Sequence, residues 1–292
     1  MTFKRCFFVF VVISFSMLSF SSAVPFLVGI TNDALDSTTA EGHTVMLWNP
    51  VFGESDNVTD IIGPSGNSGT NNVYMIDCAL LANGCNVGSE IRVKVINTGD
   101  NYVSNFSSAI ISGAGFQQMT NLTLNSPPRF NYTFIDDSIF TPMGEIDLSA
   151  GSWRIVNVQG VVYDFDGEQE LLNISSEFFE IAGSFYGDLD DNNRHYTNST
   201  CYLDKSYGGS TEAAFYCGYN LSYYANAGLW NTTMFLSDNL SLPVKKSNTT
   251  SINQLLAIEI QSSIDFGIID AQAVSNETIV NVTNFGNVII NL

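Results

Sequence analysis

The feature that most limits the fold is a period-two alternation that returns in short runs and almost never gives way to a helical period. Glu90–Ile96 shows it plainly: Ile91, Val93 and Val95 fall on one side, Arg92 and Lys94 on the other. Successive side chains of a strand point to opposite faces, so this pattern suits a strand with one buried face. The same reading places strands at Phe26–Ile30, His43–Trp48, Val73–Leu81, Tyr102–Ile111 and Asn121–Leu124. Ser126-Pro127-Pro128 then breaks the pattern and reads as a linker. A second run starts at Phe130 and includes Glu145–Leu148, Trp153–Tyr163, Leu172–Ile181, Tyr196–Leu203, Ala213–Tyr224 and Leu229–Leu236. The polar stretch Lys245–Ser251 reads as its close. Many strands at short, turn-marked spacing imply an all-β chain of tandem antiparallel β-sandwiches rather than βαβ units.

The start of the chain reads as an address. Met1–Arg5 is basic, Cys6–Phe20 is nearly unbroken apolar sequence, and Ser21-Ser22-Ala23 offers small residues for cleavage. That order marks a secretory signal peptide. The apolar run is about 15 residues, short of the roughly 20 that span a bilayer. The expected organisation is a signal peptide over 1–23, one sandwich over 24–125, a second over 126–250, and the start of a third, incomplete one over 251–292. No transmembrane segment is expected after cleavage.

Cysteine usage agrees with export. Once Cys6 leaves with the leader, Cys78, Cys85, Cys201 and Cys217 remain. Two local disulfides are the simplest pairing in an oxidising compartment. Tyr207-Gly208-Gly209-Ser210 marks a turn, and a hairpin centred there sets Cys201 opposite Cys217. Closing that loop is worth roughly 3 kcal/mol in the chain-entropy model. Zinc is the alternative, with His195, but the chain has no C-x-x-C pair.

Twelve Asn-x-Ser/Thr acceptors occur, at Asn57, Asn105, Asn121, Asn131, Asn173, Asn198, Asn220, Asn231, Asn239, Asn248, Asn276 and Asn281. Their phase suggests that they are glycosylated. In Phe215–Tyr224 the larger Phe215, Cys217, Tyr219, Leu221 and Tyr223 alternate with a face carrying Gly218, Asn220 and Ser222. Asn131 likewise alternates with Phe130, Tyr132 and Phe134, Asn231 with Trp230, Thr232 and Met234, and Asn281 with Val280 and Val282. Glycosylation on this scale favours an archaeal or eukaryotic exporter.

The charge balance excludes one class of partner. Acidic residues number 29 against 10 basic, a net −19, which disfavours nucleic acid because phosphate recognition needs a cationic face. Two acidic runs suit calcium, which takes oxygen ligands clustered at tight turns. The first supplies Asp164, Asp166 and Glu168, the second Asp188, Asp190 and Asn192. The second begins like an EF-hand loop and fails, with Asn193 where glycine is needed and Ser199 where the bidentate glutamate belongs. The alternative is two solvated turns.

No nucleophile elbow, Walker loop, HExxH or Rossmann fingerprint is present. His43 and His195, the only histidines, read as a strand opener and a polar turn residue in solvent. Tyr216, Tyr219, Tyr223, Tyr224 and Trp230 form an aromatic cluster. It reads as sandwich core first and a sugar-binding platform second. Alternation puts Tyr219 and Tyr223 inside, and leaves Tyr216 and Tyr224 as the exposed candidates.

Three stretches resemble known modules. Ser68-Gly69-Thr70-Asn71-Asn72-Val73-Tyr74, leading to Cys85-Asn86-Val87-Gly88-Ser89-Glu90-Ile91, resembles the prealbumin-like modules of exported archaeal proteins. Asp191–Cys201 with Tyr223–Asn231 resembles an Ig-like or PKD-like module of archaeal surface proteins. Asp265-Phe266-Gly267 with Val282–Asn287 is similar to Ig-like domains that share an "FG … TNxGN" pattern. The first acidic turn also resembles the D-x-D-G turn of cadherin-like sandwiches, some of which bind calcium. These resemblances imply an archaeal envelope setting and bring no catalytic residue with them. The expectation is therefore a secreted, glycosylated structural or adhesive protein of the cell surface, not an enzyme, whose partners are envelope components or glycans. Two alternatives are a carbohydrate- or protein-binding module of an adhesin, and the non-catalytic front of a larger exported enzyme.

Overall fold

The computed structural model describes residues 25–113, 115–137, 144–240 and 243–290. The expected signal peptide, with Cys6, lies outside the described residues. The chain divides between Asn125 and Ser126 into two compact units.

The first unit holds β1 (Phe26–Asn32), β2 (Thr44–Trp48), β3 (Asn57–Ile61), β4 (Val73–Asp77), β5 (Glu90–Ile96), β6 (Ser107–Ile110), β7 (Phe116–Gln118) and β8 (Leu122–Thr123). One sheet runs β4-β1-β7, with β8 also on β1, and the other runs β3-β2-β5-β6. Val45 and Leu47 of β2 pair with Val95 and Val93 of β5, and all four are buried. Leu27, Tyr74, Ile76 and Leu122 complete the core from the other sheet. Within this unit the antiparallel order is broken at β1, where β7 and β8 both run parallel to it. After β6 the chain crosses from one sheet to the other and rejoins the first beside β1.

In this unit two strands fall well short of their expected lengths. Val73–Leu81 ends at Asp77, whose carboxylate accepts from Ala79 N (2.9 Å) and starts a 3-10 turn over Cys78–Leu80. The Cys78–Cys85 disulfide closes that loop. In Tyr102–Ile111, Val103 makes only an isolated bridge to Asn125, and regular pairing begins at Ser107. Gly29 is required where it stands. It pairs with Tyr74, and a Cβ on it would lie 2.2 Å from the Tyr74 hydroxyl.

The second unit holds β9 (Arg129–Asp136), β10 (Glu145–Ile146), β11 (Trp153–Tyr163), β12 (Leu171–Glu180), β13 (His195–Asn198), β14 (Tyr202–Asp204), β15 (Glu212–Ser222), β16 (Gly228–Asp238) and β17 (Val244–Ile252). They form the sheets β10-β17-β16-β12-β13 and β14-β15-β11-β9. Phe178, Phe215 and Trp230 are the largest fully buried side chains between them. Trp230 stacks on Phe178 at 4.9 Å and donates its indole N–H to Asn226 O at 2.9 Å.

Lys245–Ser251 is not a closing loop. It lies within β17, which pairs with β16 from Gly228↔Ile252 to Leu236↔Val244 and takes β10 alongside in parallel. Its Lys245, Ser247 and Thr249 are exposed, while Thr250 and Ile252 are buried. Polar side chains report that one face meets water; they do not report whether the backbone is paired. Beyond it, β18 (Ile258–Ile260) and β19 (Val282–Asn284) make a separate two-stranded sheet. Phe285 and Asn287 tie that segment to the second unit. Phe285 packs on Tyr223 (5.8 Å) and Asn287 Nδ2 donates to Ala225 O (3.0 Å).

The hairpin reading of Cys201 and Cys217 agrees with the structure. Tyr202 pairs with Tyr216, and the two cysteines are bonded one residue outside that pair, with Cα atoms 4.6 Å apart. Replacing both by alanine is expected to lower the stability of the second unit by roughly 2–3 kcal/mol. Urea midpoints of the variant and of the reduced parent, which should coincide, check this. Among the described residues no helix is long and apolar enough to cross a membrane.

Candidate functional site

The two acidic runs occupy turns, and several of their carboxylates accept from nearby backbone N–H groups. Asp164 is fully buried and its Oδ1 accepts from Asp166 N (2.9 Å), while Asp166 Oδ2 accepts from Ser126 N (2.6 Å). Asp164 Oδ2 is buried with no hydrogen-bond partner. Burial, with the charges of Asp166, Asp238 and Glu170 nearby, pushes the Asp164 carboxyl up to about 7. Burial raises Glu170 as well. Glu168 opens a 3-10 turn, Glu168–Glu170, and Gln169 donates to its carboxylate at 3.0 Å.

In the second run Asp188 accepts from Phe185 N (2.8 Å) and the Ser184 hydroxyl (3.0 Å), which hold its carboxyl below the usual range. Asn192 Nδ2 reaches the Tyr224 hydroxyl (3.4 Å), and the neighbouring Asp191 accepts from Asn193 N (2.8 Å). Among the described residues, no group of three or more His, Cys, Asp or Glu side chains is gathered to hold a metal ion.

Both histidines are buried, contrary to the reading that put them in solvent. His43 Nε2 lies 2.9 Å from Asp100 Oδ2, with the Tyr102 ring edge-on at 5.7 Å. His195 stacks on Phe179 at 5.6 Å, with Nδ1 2.9 Å from Ser184 Oγ and Nε2 3.3 Å from Glu177 Oε2. A serine, a histidine and a glutamate thus stand in line, but the chemistry is that of a clamp. Ser184 is buried and gives its hydroxyl hydrogen to Asp188, so it accepts from the ring instead of serving as its nucleophile. Glu177 also accepts from Gly187 N (2.7 Å). The Ser184–His195, Ser184–Asp188 and Gly187–Glu177 hydrogen bonds pin the loop between β12 and β13. The flanking polar residues hid this in the sequence: His195 is carried inward because β13 pairs with β12 at Phe179↔His195. His195→Ala is expected to cost about 2 kcal/mol, the usual penalty for stranding buried polar partners. It should also speed proteolytic cutting within residues 185–193, which limited proteolysis would show.

The sequons separate by exposure. Asn57, Asn105, Asn121, Asn131, Asn173, Asn220, Asn239, Asn276 and Asn281 are exposed, and Asn198, Asn231 and Asn248 are half-buried. Asn248 Nδ2 donates to Thr133 O (3.0 Å) and Asn198 Nδ2 to Gly218 O (3.2 Å), so both amides also tie strands together. Around Asn281 the expected contrast is missing, because Val280 and Val282 are exposed too.

The outer face of β14-β15-β11-β9 carries an aromatic row. Tyr202 pairs with Tyr216, Tyr216 with Gln159, and Gln159 with Phe134. Tyr202 and Tyr216 are exposed, with ring centroids 6.3 Å apart. Tyr132 and Phe134 lie parallel at 6.5 Å, and a hydrogen bond with Tyr207 raises the Tyr132 phenol above its ordinary range. Simple alternation set Tyr132 with the buried side. The structure corrects this through a β-bulge: Val161 pairs with Tyr132 and Val162 with Phe130, which leaves Asn131 unpaired. Phe130 therefore turns inward against Phe215 (5.9 Å), and Tyr132 turns outward. Trp230 and Tyr219 of the expected cluster are core, while Tyr216 and Tyr224 are exposed.

No family description matches the chain, and no curated protein matches it. Among solved structures it is similar to the major pilin subunit BcpA of Bacillus cereus, at 10% identity and a TM-score of 0.39, over 81% of this chain and 71% of that one. The RrgB pilus protein from Streptococcus pneumoniae matches at 8% identity and 0.32, over 74% and 48%. A putative adhesin from Bacteroides ovatus matches at 8% and 0.22, over 77% and 82%. TM-scores of this size do not establish a shared fold.

Proposed function

We propose that this chain is a secreted, glycosylated structural or adhesive protein of a cell surface, of the archaeal kind that its modules resemble. The observation that carries the reading is the pairing of disulfides with outward acceptors. Each unit is closed by its own disulfide, and nine of the twelve sequon asparagines are exposed. Disulfides persist where thiols oxidise, and Asn-x-Ser/Thr acceptors are used on exported chains. Its work is interfacial: compact sandwiches, each with a separate apolar core, hold in place an exterior that is net acidic and rich in Asn, Ser and Thr. The net −19 charge repels neighbouring copies at low salt and attracts cations diffusely.

The test is to label intact source cells with a membrane-impermeant amine reagent and weigh the purified chain. The reading expects labelling, oxidised cysteines and a mass excess of whole sugar units. A reduced, unlabelled chain at its sequence mass would overturn it. The exposed Tyr202–Tyr216 face supports a second reading, a module that binds carbohydrate on another surface.

A further inference from the structure

We propose that the oligosaccharide attached at Asn220 lies back along the outer face of β14-β15-β11-β9 and stacks on Tyr216 and Tyr202. The inference rests on the glycosylation reading above and names one site and one resting place for the sugar. Asn220, Gly218 and Tyr216 are alternate residues of β15, so they share a face, and all three are exposed. Among the described residues no hydrogen bond engages the Asn220 side chain, unlike those of Asn198, Asn231 and Asn248.

From Asn220 to Tyr216 is about 13 Å along the strand, within reach of a short oligosaccharide. The ground between them is bare. A Cβ on Gly218 would meet only Asn157 Oδ1, at an ordinary 3.6 Å, so packing does not demand glycine there. Glycine inside a strand weakens it, and often marks a place where something approaches the backbone closely. The β11 partners of this track are Ile155 beside Asn220, Asn157 beside Gly218 and Gln159 beside Tyr216. Ile155 is exposed and gives an apolar start, half-buried Asn157 offers an amide that matches sugar hydroxyls, and Gln159 is buried beneath the Tyr216 end. At the far end the Tyr216 and Tyr202 rings present electron-rich faces, suited to the electropositive C–H face of a pyranose.

The attachment follows ordinary chemistry. Asn220 Nδ2 attacks the anomeric carbon of a lipid-linked oligosaccharide, the lipid phosphate leaves, and the nitrogen loses one hydrogen as a proton. Ser222, the hydroxyl residue of this sequon, is buried in the folded unit. A transferase that reads that hydroxyl therefore acts before β15 pairs, and folding then brings the sugar down onto the face.

The test uses the full chain secreted from a eukaryotic glycosylating host. Occupancy is read by glycopeptide mass spectrometry, and endoglycosidase trimming of the folded protein is followed site by site. Asn220 is expected to be occupied and trimmed about fivefold more slowly than Asn105 or Asn239, equivalent to about 1 kcal/mol of protection. Tyr216→Ala, on the solvent face, should remove that difference and leave the other sites unchanged. If no sequon is occupied, both the glycosylation reading and this inference fail. If other sites are occupied and Asn220 is bare, only this inference fails. Trimming of Asn220 at the common rate, or unchanged by Tyr216→Ala, also overturns it. So does binding of free glycans, lost in Tyr216→Ala, by chain still carrying sugar at Asn220, since the face would then serve a foreign carbohydrate.

Discussion

Asp164→Asn is expected to stabilise the second unit at pH 8 by about 2–4 kcal/mol and to change little at pH 4. Asp164 is fully buried, its Oδ2 lacks a partner, and its carboxyl is pushed from 3.8 to about 7, chiefly by burial. A raised value means that the folded chain holds the proton where the unfolded chain has released it. The group's contribution is therefore fully present below pH 3.8 and is lost as pH rises through 7. Asparagine keeps an oxygen for Asp166 N and removes the charge that must otherwise sit unpaired beside Asp166, Asp238 and Glu170. Urea midpoints at pH 4, 6 and 8 measure the effect. A loss at pH 8 would show that a cation counters the ionised carboxylate, and would return Asp164, Asp166 and Glu168 to consideration as a calcium seat.

Trp230→Ala should destabilise the same unit by about 3–5 kcal/mol, the range for truncating a buried large aromatic. Trp230 is fully buried, stacks on Phe178 at 4.9 Å and lies 6.1 Å from Tyr196. Alanine would open a cavity between the sheets and strand the Asn226 carbonyl that the indole N–H now satisfies. Trp230→Phe keeps most of the volume and should cost about half as much or less. Circular dichroism during urea unfolding reads both. The core of the first unit shares no residue with this one, so its transition should stay in place. A cost under about 1 kcal/mol for alanine would mean that the sheets close over the gap, against the usual behaviour of packed interiors.

Much of the fold was legible because a strand's period is local. Glu90–Ile96 and Trp153–Tyr163 stand where alternation put them, with the same ends. The Cys201–Cys217 hairpin could be read from its turn signal and spacing, although the pairing ends at Asp204↔Ala214 and a loop rather than a tight turn joins the strands. The inward and outward tyrosines of β15 followed from the same rule: Tyr219 is buried and Tyr216 is exposed.

Other features depended on partners far along the chain. Lys245–Ser251 lies in a strand because β16 and β10 offer it backbone partners, although its side chains look like a loop. His195 is buried because β13 pairs with β12 and aims it at Ser184 and Glu177. Asp164 could be read as acidic, but its cost arises from burial beside carboxylates as distant in sequence as Asp238. Tyr132 faces out because one unpaired residue, Asn131, reverses the phase of β9. By itself the sequence determined the all-β class, the cysteine pairing and the acceptor positions, because period, turn chemistry and spacing act over a few residues. The tertiary structure alone decided which polar groups are buried, that the Tyr132 ring meets water and that Lys245–Ser251 is paired strand. Those properties belong to strand partners and bulges, and no local stretch of sequence contains both members of a pair.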